Sequence, residues 1–127
     1  MNTITPYSDS TPKKAIIAIQ RGTDQIRVFK FYETNTTTPI NVASVYTDFV
    51  MEIRTRQNPN STLLLRYELN DGIAITATNE ITLTIPKLDT LSVEGGVYWF
   101  DLVCVKNGLS QALAQGRFEI NNNITVL

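Results

Sequence analysis

The stretch "GGVYWFDLVCVKNGLSQALAQGRFEI", residues 95–120, holds the only tryptophan and the only cysteine of this 127-residue chain. Two apolar runs in it flank Asn107-Gly108, and Asn-Gly is the strongest short-range signal for a two-residue hairpin turn. The stretch therefore predicts two antiparallel strands. Successive side chains of a strand point to opposite faces, so Trp99 and Cys104 lie on opposite faces and do not share a chemical site. We interpret the stretch as a core hairpin.

The turn also sets how the two strands pair. A two-residue turn puts Lys106 opposite Leu109, and counting back puts Trp99 opposite Gly116, where the missing side chain leaves room for the indole ring. A three-residue loop would shift the register and exchange the two faces. The two-residue turn also pairs Val97 with Phe118, Val103 with Ala112 and Cys104 with Gln111.

Short strands are predicted along the rest of the chain. No window of 12 or more residues shows the apolar period of an amphipathic helix. About eight or nine short strands, spaced at about 8–12 residues, predict an all-β fold, an immunoglobulin-like antiparallel β-sandwich. Asn70-Asp71-Gly72 is a second hairpin signal. The other predicted elements are strands within 15–20, 25–33, 48–56, 62–69, 73–76 and 80–86, and one helical turn within 87–96.

The length fits one domain, predicted as residues 15–127. Residues 1–14 are polar, contain Pro6 and Pro12, and are expected to form an extended or flexible arm. The N-terminus lacks the basic-then-apolar order of a signal peptide, and no apolar run approaches the ~20 residues of a membrane helix. We expect a soluble protein made in a cytoplasm.

Composition excludes several functions. The formal net charge of −1 disfavours non-specific nucleic-acid binding, which depends on neutralising phosphates. The chain has no histidine, which excludes serine–histidine triads, cysteine–histidine dyads and HExxH zinc sites. One cysteine cannot form an internal disulfide. No metal and no cofactor are expected.

A few side chains could carry chemistry. Asp101, the one charge in the apolar run "VYWFDLVCV", is either a general acid with a raised pKa or a structural carboxylate at a sheet edge or against a loop. Glu52 and Glu68 are either a glycosidase pair or solvated outer-face charges, with Arg54 and Arg56 beside Glu52 and Arg66 beside Glu68. Cys104 is either a reactive thiol or a packing residue. The structural interpretation is favoured each time, and no enzyme activity is predicted.

Aromatic residues define the alternative function, a carbohydrate-binding or adhesion module. Tyr98, Trp99 and Phe100 could stack on sugar rings where they are exposed. Such a module would lose glycan binding on substitution of Tyr46 or Tyr67 by alanine.

Both chain ends are predicted to dock partners. "NITVL", residues 123–127, is an apolar, strand-like run at the end of the chain, and an uncovered strand is a template for pairing with another chain. Internal pairing with an early strand is the competing interpretation. The predicted contact residues are Thr5, Pro6, Tyr7, Ile124, Thr125, Val126 and Leu127.

With these strands placed, the order of motifs over about residues 15–125 resembles small β-sandwich proteins of tailed bacteriophage particles. The resemblance is to the N-terminal domain of baseplate upper proteins and to related head, collar and tail components. The positions that carry it are Arg21 and Gly22; Phe49 to Arg54; Ile81 to Pro86; Gly96, Tyr98, Asp101 and Leu102; and Gly116, Phe118 and Ile120.

The resemblance implies an immunoglobulin-like sandwich in a virion, used as a head, neck, collar, tail or baseplate adaptor or decoration subunit. It implies docking to other virion proteins and to copies of itself, without nucleic acid or membrane. The sequence lacks the long C-terminal extension of the baseplate proteins, so their fibre-attachment role is not expected to carry over.

Overall fold

A computed structural model of the protein describes residues 3–4, 13–33 and 37–122. Strands dominate this part of the chain, with two short helical segments between them. In chain order the elements are β1 (Thr3–Ile4), β2 (Lys13–Gln20), β3 (Gln25–Lys30), α1 (Val42–Val45), β4 (Tyr46–Arg54), β5 (Leu63–Leu69), β6 (Gly72–Ala77), β7 (Glu80–Ile85), α2 (Lys87–Leu91), β8 (Gly96–Lys106) and β9 (Leu109–Asn121).

The strands form one mixed sheet in the order β1-β3-β7-β6-β5-β4-β8-β9-β2, which curls until it is nearly closed into a barrel. The predicted all-β fold is confirmed. The prediction that the strands are all antiparallel is wrong, because β1 runs parallel to β3, β2 parallel to β9 and β5 parallel to β6. The longest parallel pair is that of β2 and β9, in which β2 lies at the outer edge of the C-terminal hairpin and runs in the same direction as β9.

Apolar and polar residues alternate along residues 48–56 of the sequence, which predicts one inward and one outward face. The structure confirms this pattern for β4 and shows how the sheet encloses the core. Phe49, Met51 and Ile53 are fully buried, whereas Glu52 and Arg54 between and beyond them point outward. The buried apolar side chains from the other strands join them in one cluster on the inner face. The outer face is therefore free to carry polar groups.

An arginine joins β2 and β3, which follow one another along the chain but lie near opposite ends of the sheet order. Arg27 on β3 is only 8% exposed. Its Nη2 donates to the carbonyl of Ala18 on β2 at 2.6 Å, and its Nη1 donates to the carbonyl of Ile26 at 3.0 Å. Burial lowers the pKa of Arg27. The side chain thus bridges a seam where the two strands share no ladder.

Helix α2 confirms the predicted helical turn and packs against the β2–β3 turn. The side chain of Thr90 is buried, and its Oγ1 accepts a hydrogen bond from the Gly22 N–H at 2.9 Å. Arg21 Nη1 donates to the carbonyl of Leu91 at 2.7 Å. Arg21 and Gly22, part of the motif order described above, therefore have a structural role here.

The hairpin predicted at Asn70-Asp71-Gly72 is wrong. Asn70 and Gly72 adopt φ angles of 68° and 96°, but the chain turns a corner there and does not fold back on β5. Gly72 lies against the Tyr67 ring, and a Cβ on Gly72 would come within 2.5 Å of Tyr67 Cδ1. Burial of Ile73 in the core aligns β6 antiparallel with β7 instead.

The C-terminal hairpin has the predicted register near its turn. Asn107 and Gly108 have positive φ angles of 53° and 76°, as a type I′ turn requires. The pairs that the two-residue turn predicts there are all present: Lys106 with Leu109, Cys104 with Gln111 and Val103 with Ala112.

Beyond this point a β-bulge shifts the register by one residue. Leu102 pairs with Ala114, which leaves Leu113 as the extra residue on β9. Leu113 and Ala114 are both fully buried, so the bulge turns two successive side chains toward the core. The predictions for the far half of the hairpin are therefore wrong: Trp99 faces Arg117 and not Gly116, and Val97 faces Glu119 and not Phe118.

Gly116 has no side chain because the backbone of β2 lies close to it, and not because the Trp99 indole needs the space. It pairs with Phe100 on one side and with Ala15 of β2 on the other. A Cβ built on Gly116 would lie 1.8 Å from the carbonyl oxygen of Ala15, so no side chain fits without separating the two strands.

Gly116→Ala is expected to lower the free energy of unfolding by about 3 kcal/mol or more, because the clash is with backbone that cannot rotate away. Gly108→Ala is the matched control. Its Cβ would meet nothing within 4 Å, so only the positive φ costs stability, about 1–2 kcal/mol. Urea denaturation of both variants measures the difference. Equal losses would contradict the close β2–β9 approach.

Candidate functional site

The contact residues predicted at the two chain ends lie outside the described residues. This applies to Thr5, Pro6, Tyr7, Ile124, Thr125, Val126 and Leu127. Docking through these residues stays a prediction, and the candidate site comes from the surface of the described strands.

A polar cleft of about 260 Å³ opens on the outer face of β4, β8 and β9, beneath the loop that joins β4 to β5. We call it the Trp99 cleft. It contains the chain's one indole ring together with carboxylate, amide and guanidinium groups. The side chains that define it are Glu52, Arg54, Asn58, Trp99, Asp101 and Gln115.

The floor of the cleft follows from strand register. Trp99 and Asp101 are two residues apart on β8, so both point outward, roughly 6.6 Å apart along the strand. On β4, Arg54 pairs with Trp99 and Glu52 pairs with Asp101. On β9, Gln115 pairs with Asp101. The bulge makes this last pair possible, since it places Gln115 on the outer face.

Two arginines hold Glu52. Its Oε1 accepts from Arg54 Nη2 at 3.0 Å, and its Oε2 accepts from Arg66 Nη1. Arg66 Nη2 also contacts Glu68 Oε1 at 2.8 Å, so one guanidinium serves both carboxylates of the glycosidase pair considered above. Burial alone would raise the pKa of Glu52, but the hydrogen bonds from the two arginines outweigh it and lower that pKa.

The rim of the cleft is held by hydrogen bonds. Arg54 Nη1 donates to the carbonyl of Ser61 at 2.7 Å, which ties the β4–β5 loop to the floor. Ser61 Oγ donates to the carbonyls of Asn58, at 2.7 Å, and Arg56, at 3.0 Å. Arg54 therefore joins Glu52 to the loop, and the shape of the cleft exists before any ligand arrives.

Asp101 is the carboxylate of the cleft that has no cationic partner among the described residues. It lies on a central strand and not at the sheet edge considered above, and no ion pair of the described residues includes it. Although the residue is exposed, its carboxylate is partly shielded from water inside the cleft. This burial raises its pKa, Glu52 opposite raises it further, and Arg54 acts in the other direction.

The tyrosines named for the alternative function are not at the surface. Tyr46 is 3% exposed and Tyr67 is 5% exposed. Tyr67 Oη donates to Asp89 Oδ2 at 3.0 Å, and burial raises the pKa of Tyr46 to about 12. The proposal that these two rings stack on a glycan is therefore wrong. Trp99 is the half-buried ring that reaches a cleft.

Cys104 lies on the inner face of β8, opposite in direction to Trp99, as the alternation predicted. It is fully buried, and burial raises the pKa of its thiol to about 11. A thiol with such a pKa is almost entirely protonated at neutral pH, so the packing role holds.

Strand sequence alone did not reveal the Trp99 cleft. The alternation of residues 48–56 predicts the outward positions of Glu52 and Arg54, but Gln115 reaches the outer face only through the bulge. The contribution of the β4–β5 loop depends on side-chain hydrogen bonds that leave no periodic signal. The paired outward positions of β4 and β8 were the one usable clue.

Known proteins add a fold relationship. No family model matches the chain, and no curated protein matches it. Among solved structures, the chain is similar to the N-terminal domain of phage TP901-1 ORF48, with a TM-score of 0.52 and 10% identity. The similarity covers 94% of this chain and 96% of that one. At this identity the likeness shows a shared fold.

Neither helix of the described ranges is long and apolar enough to cross a membrane. Residues 13–33 and 37–122, together with 3–4, contain no group of three histidine, cysteine or acidic side chains placed to hold a metal ion.

Asp101→Asn is expected to raise the free energy of unfolding at neutral pH by about 0.2–1 kcal/mol, the range for cross-strand charge pairs at partly solvated positions. A carboxyl whose pKa is raised by folding loses stability as pH rises from its ordinary value of 3.8 through the raised value. The gain should therefore appear over that interval and vanish at lower pH.

Urea denaturation across acid and neutral pH checks this expectation. Glu94→Gln is the control, because Glu94 is exposed and this substitution removes the same charge at a position away from the cleft. If Asp101→Asn lowers the stability at neutral pH, or if Glu94→Gln raises it equally, the Asp101 carboxylate is not destabilising and the expectation is wrong.

Proposed function

We propose that the protein is a non-enzymatic structural subunit of a tailed-phage virion, and that its curled sheet is a variant of the immunoglobulin-like sandwich with parallel strands added at its two edges. It works by docking to other virion proteins and to copies of itself, as a head, neck, collar, tail or baseplate adaptor or decoration subunit. One observation carries the proposal: the fold is similar to an N-terminal domain of a phage protein over nearly the whole of both chains.

The extent of that similarity matters more than its identity. The similarity covers 94% of this chain and 96% of that domain, so the two folds correspond over nearly their whole length. The motif order in the sequence supports the same class of protein by a separate route. At 10% identity the surfaces have diverged, and the docking partners need not be the same.

Exposed apolar side chains at the two ends of the molecule, taken along the direction of β9, support docking. The Arg21 N–H donates to the carbonyl of Asn121 at 2.8 Å, which puts α2 and the β2–β3 turn at the C-terminal end of β9. Leu88 on α2 is 71% exposed at that end. Leu109 is 72% exposed at the hairpin turn, at the other end. Apolar groups at opposite ends suit head-to-tail contacts, which close into rings when the rotation allows it.

The carboxylates of the Trp99 cleft support the non-enzymatic part of the proposal. Both oxygens of Glu52 accept hydrogen bonds from arginines, which lower the pKa of this carboxyl and make it a weaker base. Asp101 alone cannot supply both of the roles that a two-carboxylate hydrolase needs.

Quantitative mass spectrometry of purified particles of the encoding phage tests the proposal. The protein is expected in the particle at a fixed copy number, and a multiple of six or twelve would assign it to a neck or tail ring. Its absence from intact particles would overturn the proposal.

Leu88→Asp combined with Leu109→Asp is expected to lower incorporation into particles at least tenfold, with the unfolding free energy within about 0.5 kcal/mol of wild type because both side chains are exposed. Ile16→Asp is the matched control, since Ile16 is 59% exposed and lies in the middle of β2, away from both ends. Incorporation measured by particle mass spectrometry should be normal for this control. Normal incorporation of the double variant would contradict docking through the ends of the sheet.

A further inference from the structure

The Trp99 cleft combines one aromatic face with polar groups at a fixed distance. Trp99 and Asp101 share the outer face of β8, roughly 6.6 Å apart. A flat ring lying on the indole would therefore bring groups at its edge to the Asp101 carboxylate. Gln115, paired with Asp101, adds an amide that both donates and accepts on the same side.

The indole can be reached from two sides. Trp99 lines the cleft and also a shallower groove of about 630 Å³ between β8 and the edge strand β2. Ile16, which is 59% exposed, lies in that groove. The half-buried ring therefore borders two hollows.

The charges around the cleft balance. Its lining contains two carboxylates, Glu52 and Asp101, and two guanidinium groups, Arg54 and Arg56. An anionic ligand would meet the carboxylates, and a cationic side chain would meet the arginines. Glu52 is paired with Arg54, whereas Asp101 and Arg56 have no ion pair within the described residues. One charge of each sign is therefore left, and a ligand without net charge fits best.

We propose that the Trp99 cleft binds one neutral pyranose ring of a carbohydrate, with the ring stacked on Trp99 and its hydroxyl groups donating to Asp101. The C–H face of a pyranose packs against an aromatic face, while the hydroxyl groups at its edge need polar partners. The volume of about 260 Å³ lies just under the ~300–1,000 Å³ of pockets for drug-sized ligands and suits one ring.

This site binds sugar without cleaving it. Asp101 and Glu52 have pKa values shifted in opposite directions, the pattern of an acid and its partner in glycoside cleavage. Glu52, however, is held by Arg54 and Arg66, and their hydrogen bonds make it a weak base. The loop held by Ser61 preforms the cleft, which lowers the ordering cost of binding. The inference does not depend on whether the protein is a virion component.

Intrinsic fluorescence tests the proposal directly, because Trp99 is the only tryptophan. The full chain is titrated with methyl glucoside, methyl galactoside and N-acetylglucosamine, and separately with methylguanidinium and inorganic phosphate as charged probes. At least one pyranose is expected to change the tryptophan emission saturably in the millimolar range. No saturable change with any pyranose, or tighter binding of a charged probe, would overturn the proposal.

Variants assign the binding to the cleft. Asp101→Asn keeps the shape and is expected to weaken pyranose binding at least tenfold, while Glu94→Gln should bind as wild type does. Trp99→Phe, followed by saturation-transfer NMR of the sugar, should lose most of the signal, with circular dichroism confirming that it folds. Wild-type affinity in Asp101→Asn would contradict the site, and so would release of the aglycone during incubation.

Discussion

The extra residue at Leu113 determines the inner and outer faces of the C-terminal hairpin. Without this bulge, the register set by the Asn107-Gly108 turn would continue along β9 and turn Gln115 and Arg117 toward the core. With it, Leu113 and Ala114 are both buried, and the following even-numbered residues remain inside as far as Ile120. Burying apolar groups outweighs the broken ladder, because polar side chains in the core would cost more than one missing strand pair.

The same shift links the hairpin to the rest of the sheet. It brings Gly116 beside Ala15, where the absence of a side chain lets β2 pair with β9 along its whole length. β2 then leads through a tight turn to β3, and Arg27 spans the remaining seam to the carbonyl of Ala18. The near-closure of the sheet and the outward position of Gln115 in the Trp99 cleft therefore have one origin.

Sequence patterns predicted the features that depend on residues close together in the sequence, such as strand faces and turn pairs. They missed the features that depend on contacts between distant parts of the chain. The alternation of β4 gave its faces, and Asn107-Gly108 gave the first pairs of the hairpin. The sequence predicts a hairpin at Asn70-Asp71-Gly72 where the structure has a corner, because turn propensity does not say which strand comes next in the sheet. The Leu113 bulge and the loop held by Ser61 depend on core packing and side-chain hydrogen bonds, which have no period. The cleft depends on both the bulge and the loop, so the sequence predicts only the outward positions of Glu52 and Arg54.

A cysteine pair measures the register on which this account depends. In a Cys104→Ala background, Val97→Cys with Glu119→Cys joins two exposed or half-exposed partners that face each other directly. Their separation suits a disulfide, so oxidation is predicted to close this bond readily. A pair that stays reduced, while Val97→Cys with Phe118→Cys closes, would show that the bulge is absent and would contradict both the enclosed sheet and the cleft.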